Sequence, residues 1–287
     1  MTRRAEDSDS RAWEAYFTRR MATSMFMASN LRDHGLSGTG HGHATAYWIA
    51  EANGQIGGVF GCSEAGVLLG DAEAFDPAWT IPLRTALAGR RIIGANGAAD
   101  VTAAMIAALG LDRQPPSFDD PQPHYHLDQS ALVAPPGDTV LRPMTLTDLP
   151  LATHWRQAFD REVFGDGDLP EGRSNAERRI RGLIDADRGR ILELNGTAVA
   201  MTGFNAALPT AVQIGSVYTP PDHRGAGYAR RAVALHLQEV AAQGVTTAIL
   251  FSSGPSANRA YEAIGFTRIG TYRLIDYHPP VLIEAPQ

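Results

Sequence analysis

A repeated pattern constrains the fold of this 287-residue chain more than any other feature. The segment I-A-E-A-N-G beginning at Ile49 matches I-L-E-L-N-G beginning at Ile191 at four of six positions. Each Asn-Gly pair separates two apolar, strand-like runs, and this dipeptide readily supplies the two positive φ angles of a tight hairpin turn. The same β-hairpin is therefore predicted in each half. Glu51 and Glu193 hold the same place before the turn, so we assign both to the fold rather than to chemistry.

A second correspondence follows each hairpin. Two glycines lie 21 positions apart in each half, Gly89 and Gly110 in the first and Gly244 and Gly265 in the second. In both halves a short apolar strand follows the first glycine, and a helical stretch runs into the second. Two matches in the same order indicate a tandem repeat of one α/β unit.

The predicted elements of each unit are helices, an antiparallel hairpin, a further strand, a long helix, a parallel strand, a helix and a closing strand. This order is typical of an α/β (α+β) fold with a mixed, mostly antiparallel central sheet flanked by helices. The turn-rich step Ala131–Asp138 is interpreted as the boundary between a domain at 1–134 and a second at 138–287.

Composition and charge exclude several classes of function. The net charge of −6 leaves no broad basic footprint, so we expect neither nucleic acid nor an anionic membrane as the principal partner. No segment reaches the roughly 18 apolar residues of a spanning helix, and the N-terminal stretch lacks the apolar core of a signal peptide. The single cysteine, Cys62, permits no intrachain disulfide and no metal site built from cysteines alone. We expect a cytoplasmic protein without a bound metal.

The stretch Val217–Ala232, V-Y-T-P-P-D-H-R-G-A-G-Y-A-R-R-A, is the most informative about chemistry. An apolar strand over Ala211–Tyr218 ends at two prolines, and a helix is predicted from near Gly225 to about Ala242. The first turn of a helix exposes unpaired N–H groups at the positive end of the helix dipole. Small side chains at that turn let an anion approach, so the pattern favours a bound pyrophosphate.

Nearby arginines strengthen this interpretation, because Arg224 and either Arg230 or Arg231 can add charge-assisted hydrogen bonds to phosphates. A P-loop is excluded, since no G-K-[ST] follows. A dinucleotide-binding Rossmann turn needs a third small residue where Arg230 stands. It also needs an acid after the next strand, where Ser252 and Ser253 stand. The remaining alternative is a helix capped by a flexible glycine turn that binds nothing.

Together with Asn258–Phe266, the stretch Val217–Ala232 resembles the acetyl-CoA signature of the GCN5-related N-acetyltransferases. The similarity covers Asp138 to about His278, and the two-unit layout is similar to tandem members with a degenerate first unit. The resemblance implies acetyl-CoA as cosubstrate and no metal. In that family the R-G-x-G-x-A amides hold the pyrophosphate, and the preceding strand binds the pantetheine arm. The cofactor-binding residues implied by position are Val217, Tyr218, Thr219, Arg224, Gly225, Ala226, Gly227, Tyr228, Ala229, Arg230, Asn258 and Tyr261.

The resemblance also implies catalytic roles. Tyr261, three positions after Asn258 on one helix face, would protonate the departing thiolate, because a phenol with a pKa of about 10 keeps its proton at neutral pH. The backbone N–H near Val217 would stabilise the oxyanion. The base stays open between Glu162, on a helix predicted over Gln157–Phe164, a water relay, and an amine that enters neutral. The catalytic candidates are Tyr261, Val217 and Glu162.

The first unit lacks these groups. Ala103 and Ile106 stand at the positions of the cofactor-binding asparagine and the candidate acid. At the place of the phosphate turn, Asp71 and two further acids would repel a pyrophosphate. The segment G-A-N-G-A from Gly94 is interpreted as a plain turn between a strand and a helix.

We therefore expect an acetyl-CoA-dependent N-acetyltransferase that acts on a primary amine of a small molecule or peptide by direct attack in a ternary complex. The alternative is a non-catalytic acyl-CoA-binding sensor or regulatory module, which would keep the Gly225–Ala229 turn but need no acid or base. A third hypothesis is transfer of a longer acyl chain or from aminoacyl-tRNA, and the acidic charge disfavours the tRNA version. The acceptor pocket is expected on variable loops such as Gly165–Ser174, and no feature indicates an oligomeric state.

Overall fold

The computed structural model describes residues 2–36, 38–52, 54–165 and 171–286. The chain forms two compact units, one made of Met1–Gln122 with Gly270–Gln287 and the other of Pro123–Ile269. Each unit contains a mixed, mostly antiparallel six-stranded sheet flanked by helices, which confirms the predicted fold class. Within the residues described, no helix combines the length and the apolar character needed to span a membrane.

The first unit opens with β1 (Thr2–Arg4), α1 (Ser10–Arg19) and α2 (Met21–His34). It continues with β2 (Thr45–Ala52), β3 (Gln55–Ser63), β4 (Val67–Ala72), α3 (Thr80–Leu87), β5 (Arg91–Ala98) and α4 (Ala99–Leu109). Strand β6 (Phe118–Asp128) follows in the chain, and its residues from Pro123 onward belong to the second unit. The last strand of the chain, β12 (Thr267–Leu282), completes the sheet, whose order is β1-β2-β3-β4-β5-β12. Strands β4 and β5 are parallel, and the other neighbours are antiparallel.

The second unit repeats this order with β7 (Val140–Pro143), α5 (Leu149–Phe164) and α6 (Gly172–Asp185). Then follow β8 (Gly189–Leu194), β9 (Thr197–Ala207), β10 (Ala211–Tyr218), α7 (Tyr228–Ala241), β11 (Thr247–Phe251) and α8 (Pro255–Glu262). The order of its sheet is β6-β11-β10-β9-β8-β7, with β10 and β11 parallel.

The hairpin of the second unit has the predicted turn. Asn195 and Gly196 both take positive φ values, 50° and 78°, as a tight two-residue hairpin turn requires. In the first unit Gly54 has a φ of 74°, and Asn53 lies outside the described residues.

The closing strands explain why the compact units are not two linear halves of the chain. Strand β12 pairs with β5 in the first unit through residues 272–282, whereas β6 pairs with β11 in the second unit through residues 124–128. Each sheet therefore takes its last strand from the other repeat. The predicted boundary between 134 and 138 follows the Pro/Gly composition of the chain and differs from this division. A strand's own residue pattern does not specify which neighbour it joins.

An arginine on the edge strand of each unit binds two carboxylates, one in the turn before the first helix and one in the hairpin. The two sets are Arg3 with Asp9 and Glu51, and Arg142 with Asp148 and Glu193. The arginine hydrogen bonds hold the pKa values of Asp9 and Asp148 below their usual range. The shared contact agrees with the assignment of both glutamates to the fold.

Two interpretations of the first unit are wrong. Asp71 lies fully buried in β4 rather than in a turn, and it accepts hydrogen bonds from the Tyr16 hydroxyl at 2.6 Å and the Arg20 guanidinium at 2.5 and 3.1 Å. Its charge is therefore neutralised by Arg20 and is not free to repel an anion. The segment from Gly94 to residue 98 belongs to β5 instead of a turn, because it pairs with β12, for example at Asp276.

In the second unit, helices cover both faces of the sheet around β10. Val212 and Ile214 join the core formed with α7 and α8, whereas Tyr218 packs in the core that contains Trp155 of α5 and Ile180 of α6. Strand β10 is therefore fixed from both sides up to its last residue.

A buried histidine in α7 makes the stability of the protein depend on pH. The His236 ring is 1% exposed and stacks on Phe204 at 3.8 Å, and neither ring nitrogen has a hydrogen-bond partner among the described residues. Burial, reinforced by the nearby Arg190 charge, lowers the pKa of His236 to about 3. The unfolded chain, with an ordinary histidine pKa of about 6.5, binds a proton between these two values that the folded chain does not.

The free energy of unfolding should therefore fall as the pH is lowered from about 6.5 toward 3. Between pH 7.5 and pH 5, the free energy of unfolding of wild type should decrease by about 2 kcal/mol more than that of His236→Leu, as measured by urea denaturation at both pH values. His154→Leu, at an exposed position of α5, is the control and should keep the wild-type dependence. Equal pH dependence in wild type and His236→Leu would contradict the assignment.

Candidate active site

Strands β10 and β11 separate at the candidate site. They pair in parallel up to Ile214 and Leu250, and β10 then continues to Tyr218 without this partner. Over the same residues the register of β10 against β9 shifts between Gly215 and Tyr218, and Ser216 takes a φ of 53°. A β-bulge of this kind bends the strand and turns backbone groups out of regular pairing. The end of β10 can therefore offer N–H and C=O groups to a ligand.

A buried arginine that the sequence interpretation overlooked holds this bend. Arg156 of α5 is 4% exposed and donates a hydrogen bond of 2.8 Å to the Ser216 hydroxyl. Its guanidinium pairs with Asp160 at 2.7 and 3.1 Å and lies 4.9 Å from the centre of the Phe159 ring. The spacing of Arg156 and Asp160, four residues apart on a predicted helix, was a readable signal for an ion pair. That spacing more often marks a solvated helix face, so it did not indicate burial.

Asn205 is a second overlooked residue. A Cβ atom added to Gly215 would lie 2.0 Å from the side-chain nitrogen of Asn205, so this amide covers the glycine at the bend. An amide both donates and accepts hydrogen bonds. Asn205 of β9 therefore places a neutral polar group beside the bent backbone of β10.

The predicted phosphate turn immediately precedes α7. The helix begins at Tyr228, three residues after the predicted start, with Gly227 as its N-cap. Gly225 and Gly227 have φ values of 83° and 80°, which favour glycine. No atom of the described residues lies within 4 Å of a Cβ added to Gly225, so this side of the turn is open. The first amides of α7 have no partner within the helix and are suited to an anion at that opening.

Arg230 is the arginine that remains available to an anion at this turn. Its Nε is buried and has no hydrogen-bond partner in the described part of the chain. It would lie 2.9 Å from a Cβ added to Gly227, so the guanidinium lies against the turn. Arg231, the predicted alternative, is used elsewhere. It donates to Thr139 and to the carbonyls of Pro135 and Gly137, which fixes the segment before β7.

Three predicted site residues come together beside the turn. The Arg224 Nη2 donates to both carboxylate oxygens of Glu162 at 2.8 and 2.9 Å, and the Tyr218 hydroxyl donates to one of them at 3.2 Å. Burial and then the Glu162 charge raise the pKa of Tyr218, and the hydrogen bond to Glu162 raises the pKa of Arg224. Arg224 therefore points at Glu162 and not into the turn.

The other two predicted side chains lie on α8. The side-chain oxygen of Asn258 is buried and has no hydrogen-bond partner within the described residues. Tyr261 is 8% exposed and packs edge-on against Phe266 at 5.9 Å, as part of the core with α7. Burial raises the pKa of Tyr261 to about 12, so the phenol holds its proton at neutral pH.

Buried polar atoms without partners test whether a ligand fits this region. Three such atoms, each buried and without a hydrogen-bond partner among the described residues, are Thr219 Oγ1, Arg230 Nε and Asn258 Oδ1. Thr219 directly follows β10, Arg230 lies in the first turn of α7, and Asn258 lies on α8; α7 contacts both β10 and α8. An unsatisfied buried polar atom costs about 1–3 kcal/mol. The phosphates of a ligand could accept a hydrogen bond from Arg230, and its amide N–H groups could donate to the oxygen atoms of Thr219 and Asn258.

Residues 150–266 match the sequence model of the Acetyltransferase (GNAT) family. A search of curated proteins finds no match.

Solved structures show a similar fold over nearly the whole chain. A Drosophila protein is 13% identical with a TM-score of 0.64, and the alignment covers 99% of each chain. A GCN5-related N-acetyltransferase from Kribbella flavida is 18% identical over 90% of this chain and 94% of its own, with a TM-score of 0.56. A tandem GNAT protein from the clavulanic acid biosynthesis pathway is 14% identical over 96% of both chains, with a TM-score of 0.50. At these identities the likeness concerns the fold.

The Arg156 ion pair allows a test of how the bend is held. Arg156→Met leaves the Asp160 carboxylate, 13% exposed, without its charged partner. We expect the free energy of unfolding to fall by about 3 kcal/mol in urea denaturation, and Asp160→Leu added to Arg156→Met to recover most of that loss.

Arg181→Met is the matched control, because Arg181 and Glu177 form an ion pair of the same spacing with side chains 48% and 44% exposed. Its loss should stay below about 1 kcal/mol. Similar small losses for Arg156→Met and Arg181→Met would show that the buried pair does not hold the bend.

Proposed function

Residues 150–266 form a domain of the acetyltransferase (GNAT) family, as the resemblance predicted, and from this premise we propose an N-acetyltransferase activity for the second unit. It transfers an acetyl group from acetyl-CoA to a primary amine of a small molecule or peptide, by direct attack in a ternary complex. One observation carries the proposal. The open glycine turn before α7 adjoins Arg230, whose buried Nε lacks a partner in the described chain.

The residues around this turn are suited to the parts of coenzyme A. The amides from Gly225 to Ala229 and the Arg230 guanidinium would hold the pyrophosphate, since both provide donors at the positive end of a helix. The unpaired backbone at the end of β10, with Val217 at its centre, would bind the amide groups of the pantetheine arm. Thr219 and Asn258 would supply the remaining polar contacts.

Acetyl-CoA supplies an activated acyl group, and the protein positions the amine and manages the protons. The amine nitrogen forms a bond to the thioester carbonyl carbon, and the carbon–sulfur bond breaks. The Val217 N–H donates to the carbonyl oxygen as negative charge develops on it. Tyr261 gives its proton to the departing thiolate, and Glu162 accepts the proton that the amine loses, directly or through water.

A non-catalytic acyl-CoA-binding module is the second candidate, and the pairing of Glu162 supports it. The carboxylate proposed as base is already bound by Arg224 and Tyr218. A sensor needs the phosphate turn alone, so the two functions differ in turnover and not in affinity for the cofactor.

Thiol release with acetyl-CoA across a panel of amines, amino acids, polyamines and aminoglycosides tests the proposal. We expect turnover with at least one acceptor, and a fall in kcat of about 100-fold for Tyr261→Phe, because one positioned proton donor contributes about 10²–10⁴-fold. The affinity of Tyr261→Phe for coenzyme A, measured by calorimetry, should stay within about threefold of wild type.

Tyr272→Phe is the control, since Tyr272 is a buried tyrosine of the first unit that lies outside the site. Its kcat should equal that of wild type. If the protein binds the cofactor but releases thiol with none of the acceptors, the sensor is favoured. If kcat is unchanged in Tyr261→Phe, this residue is not the general acid.

A further inference from the structure

The first unit contains a cavity of about 300 Å³ between α1 and α2. Its volume lies at the lower end of the roughly 300–1,000 Å³ typical of small-molecule sites. Trp13 and Phe17, four residues apart on α1, stack at 5.1 Å and line one side, while Ala28 and Leu31 of α2 line the other. The body of the cavity is therefore apolar and aromatic.

Acidic side chains surround this apolar cavity. Glu6, Asp7 and Glu14 all line it and are exposed. Asp7 and Glu14 have no side-chain hydrogen bond or ion pair within the described residues. Arg32, the cation among the lining residues, donates to the neighbouring Asp33 at 2.8 and 2.9 Å. The rim is thus net negative and favours a ligand that carries a positive charge.

Aromatic rings lie beside these acids. Trp13 and Phe17, whose rings stack on α1, both line the cavity. An ammonium group placed between the acids and the rings would also gain from the aromatic faces.

We propose that this cavity binds a small primary amine with an apolar body. The ammonium group lies at the acidic rim, and the apolar body lies between α1 and α2. The proposal does not rest on acetyl transfer by the second unit. It gives the first unit a ligand of its own, although that unit lacks a phosphate turn.

Calorimetry on the full chain with 2-amino-1-phenylethanol tests this assignment. Mandelate is the matched ligand, because it keeps the ring and the hydroxyl but replaces the aminomethyl group by a carboxylate. We expect binding of the amine and at least tenfold weaker binding of mandelate. Absence of amine binding, or equal binding of the two compounds, overturns the proposal.

Two variants locate the site. Asp7→Asn combined with Glu14→Gln removes charge at exposed positions, so the fold should be kept and the affinity for the amine should fall at least tenfold. Leu31→Trp fills the cavity and should abolish binding, with circular dichroism and Tm as checks on folding. If the folded double variant Asp7→Asn, Glu14→Gln still binds the amine with wild-type affinity, the amine binds at another place and the assignment is wrong. Thiol release by the same variant should stay at the wild-type rate, which separates this result from that of the proposed acetyl transfer.

Discussion

The hydrogen bond from Arg156 to Ser216 is the contact on which the candidate site depends. Ser216 has a positive φ, which is unfavourable for a residue with a side chain, and the buried guanidinium of Arg156 binds its hydroxyl from α5. Asp160 balances the charge of Arg156, so the attraction between the two groups offsets the desolvation cost of burying the arginine. Because β10 bends there, its backbone leaves the ladder with β11 a few residues before the glycine turn that precedes α7. A straight β10 would keep pairing and close the space between the two strands.

In the first unit, the corresponding strand β4 is followed by different residues after its last parallel pair. The last parallel pair of β10 is at Ile214 and is followed by Gly215, whereas the last parallel pair of β4 is at Gly70 and is followed by Asp71. Arg20 and Tyr16 bind the Asp71 carboxylate, so an ion pair is buried at the position where the second unit has its bend. The duplicated sheets thus share hairpins, edge-strand ion pairs and strand order. They differ in the residues that follow the parallel strands.

The parts that could be predicted from the sequence depend on short-range rules. The Asn-Gly hairpin, the glycine turn before a helix and the α/β order follow from residues that are neighbours in the chain. The short motifs at Val217–Ala232 and Asn258–Phe266 lie within residues 150–266, which match the Acetyltransferase (GNAT) family. The overlooked features depend on contacts between distant residues. Arg156 and Asp160 have the spacing of a surface ion pair, and nothing local shows that Ser216 lies beside them. The acids after Gly70 suggested repulsion because Arg20, about 50 residues earlier, could not be paired with Asp71 by pattern. The exchange of closing strands also depends on pairing across more than 100 residues.

The proposed function requires that the turn before α7, together with Arg230, binds a pyrophosphate. Calorimetric affinities of wild type, Arg230→Gln and Arg231→Gln for coenzyme A and for pantetheine test it most directly, since pantetheine lacks the pyrophosphate. If the turn and Arg230 bind the pyrophosphate, Arg230→Gln should weaken coenzyme A binding by about tenfold or more, as the loss of a hydrogen bond to a charged group would, and leave pantetheine binding unchanged. Arg231→Gln should leave both affinities near those of wild type. If Arg230→Gln binds coenzyme A as tightly as wild type does, or if its binding of both ligands is weakened equally, Arg230 does not bind the pyrophosphate.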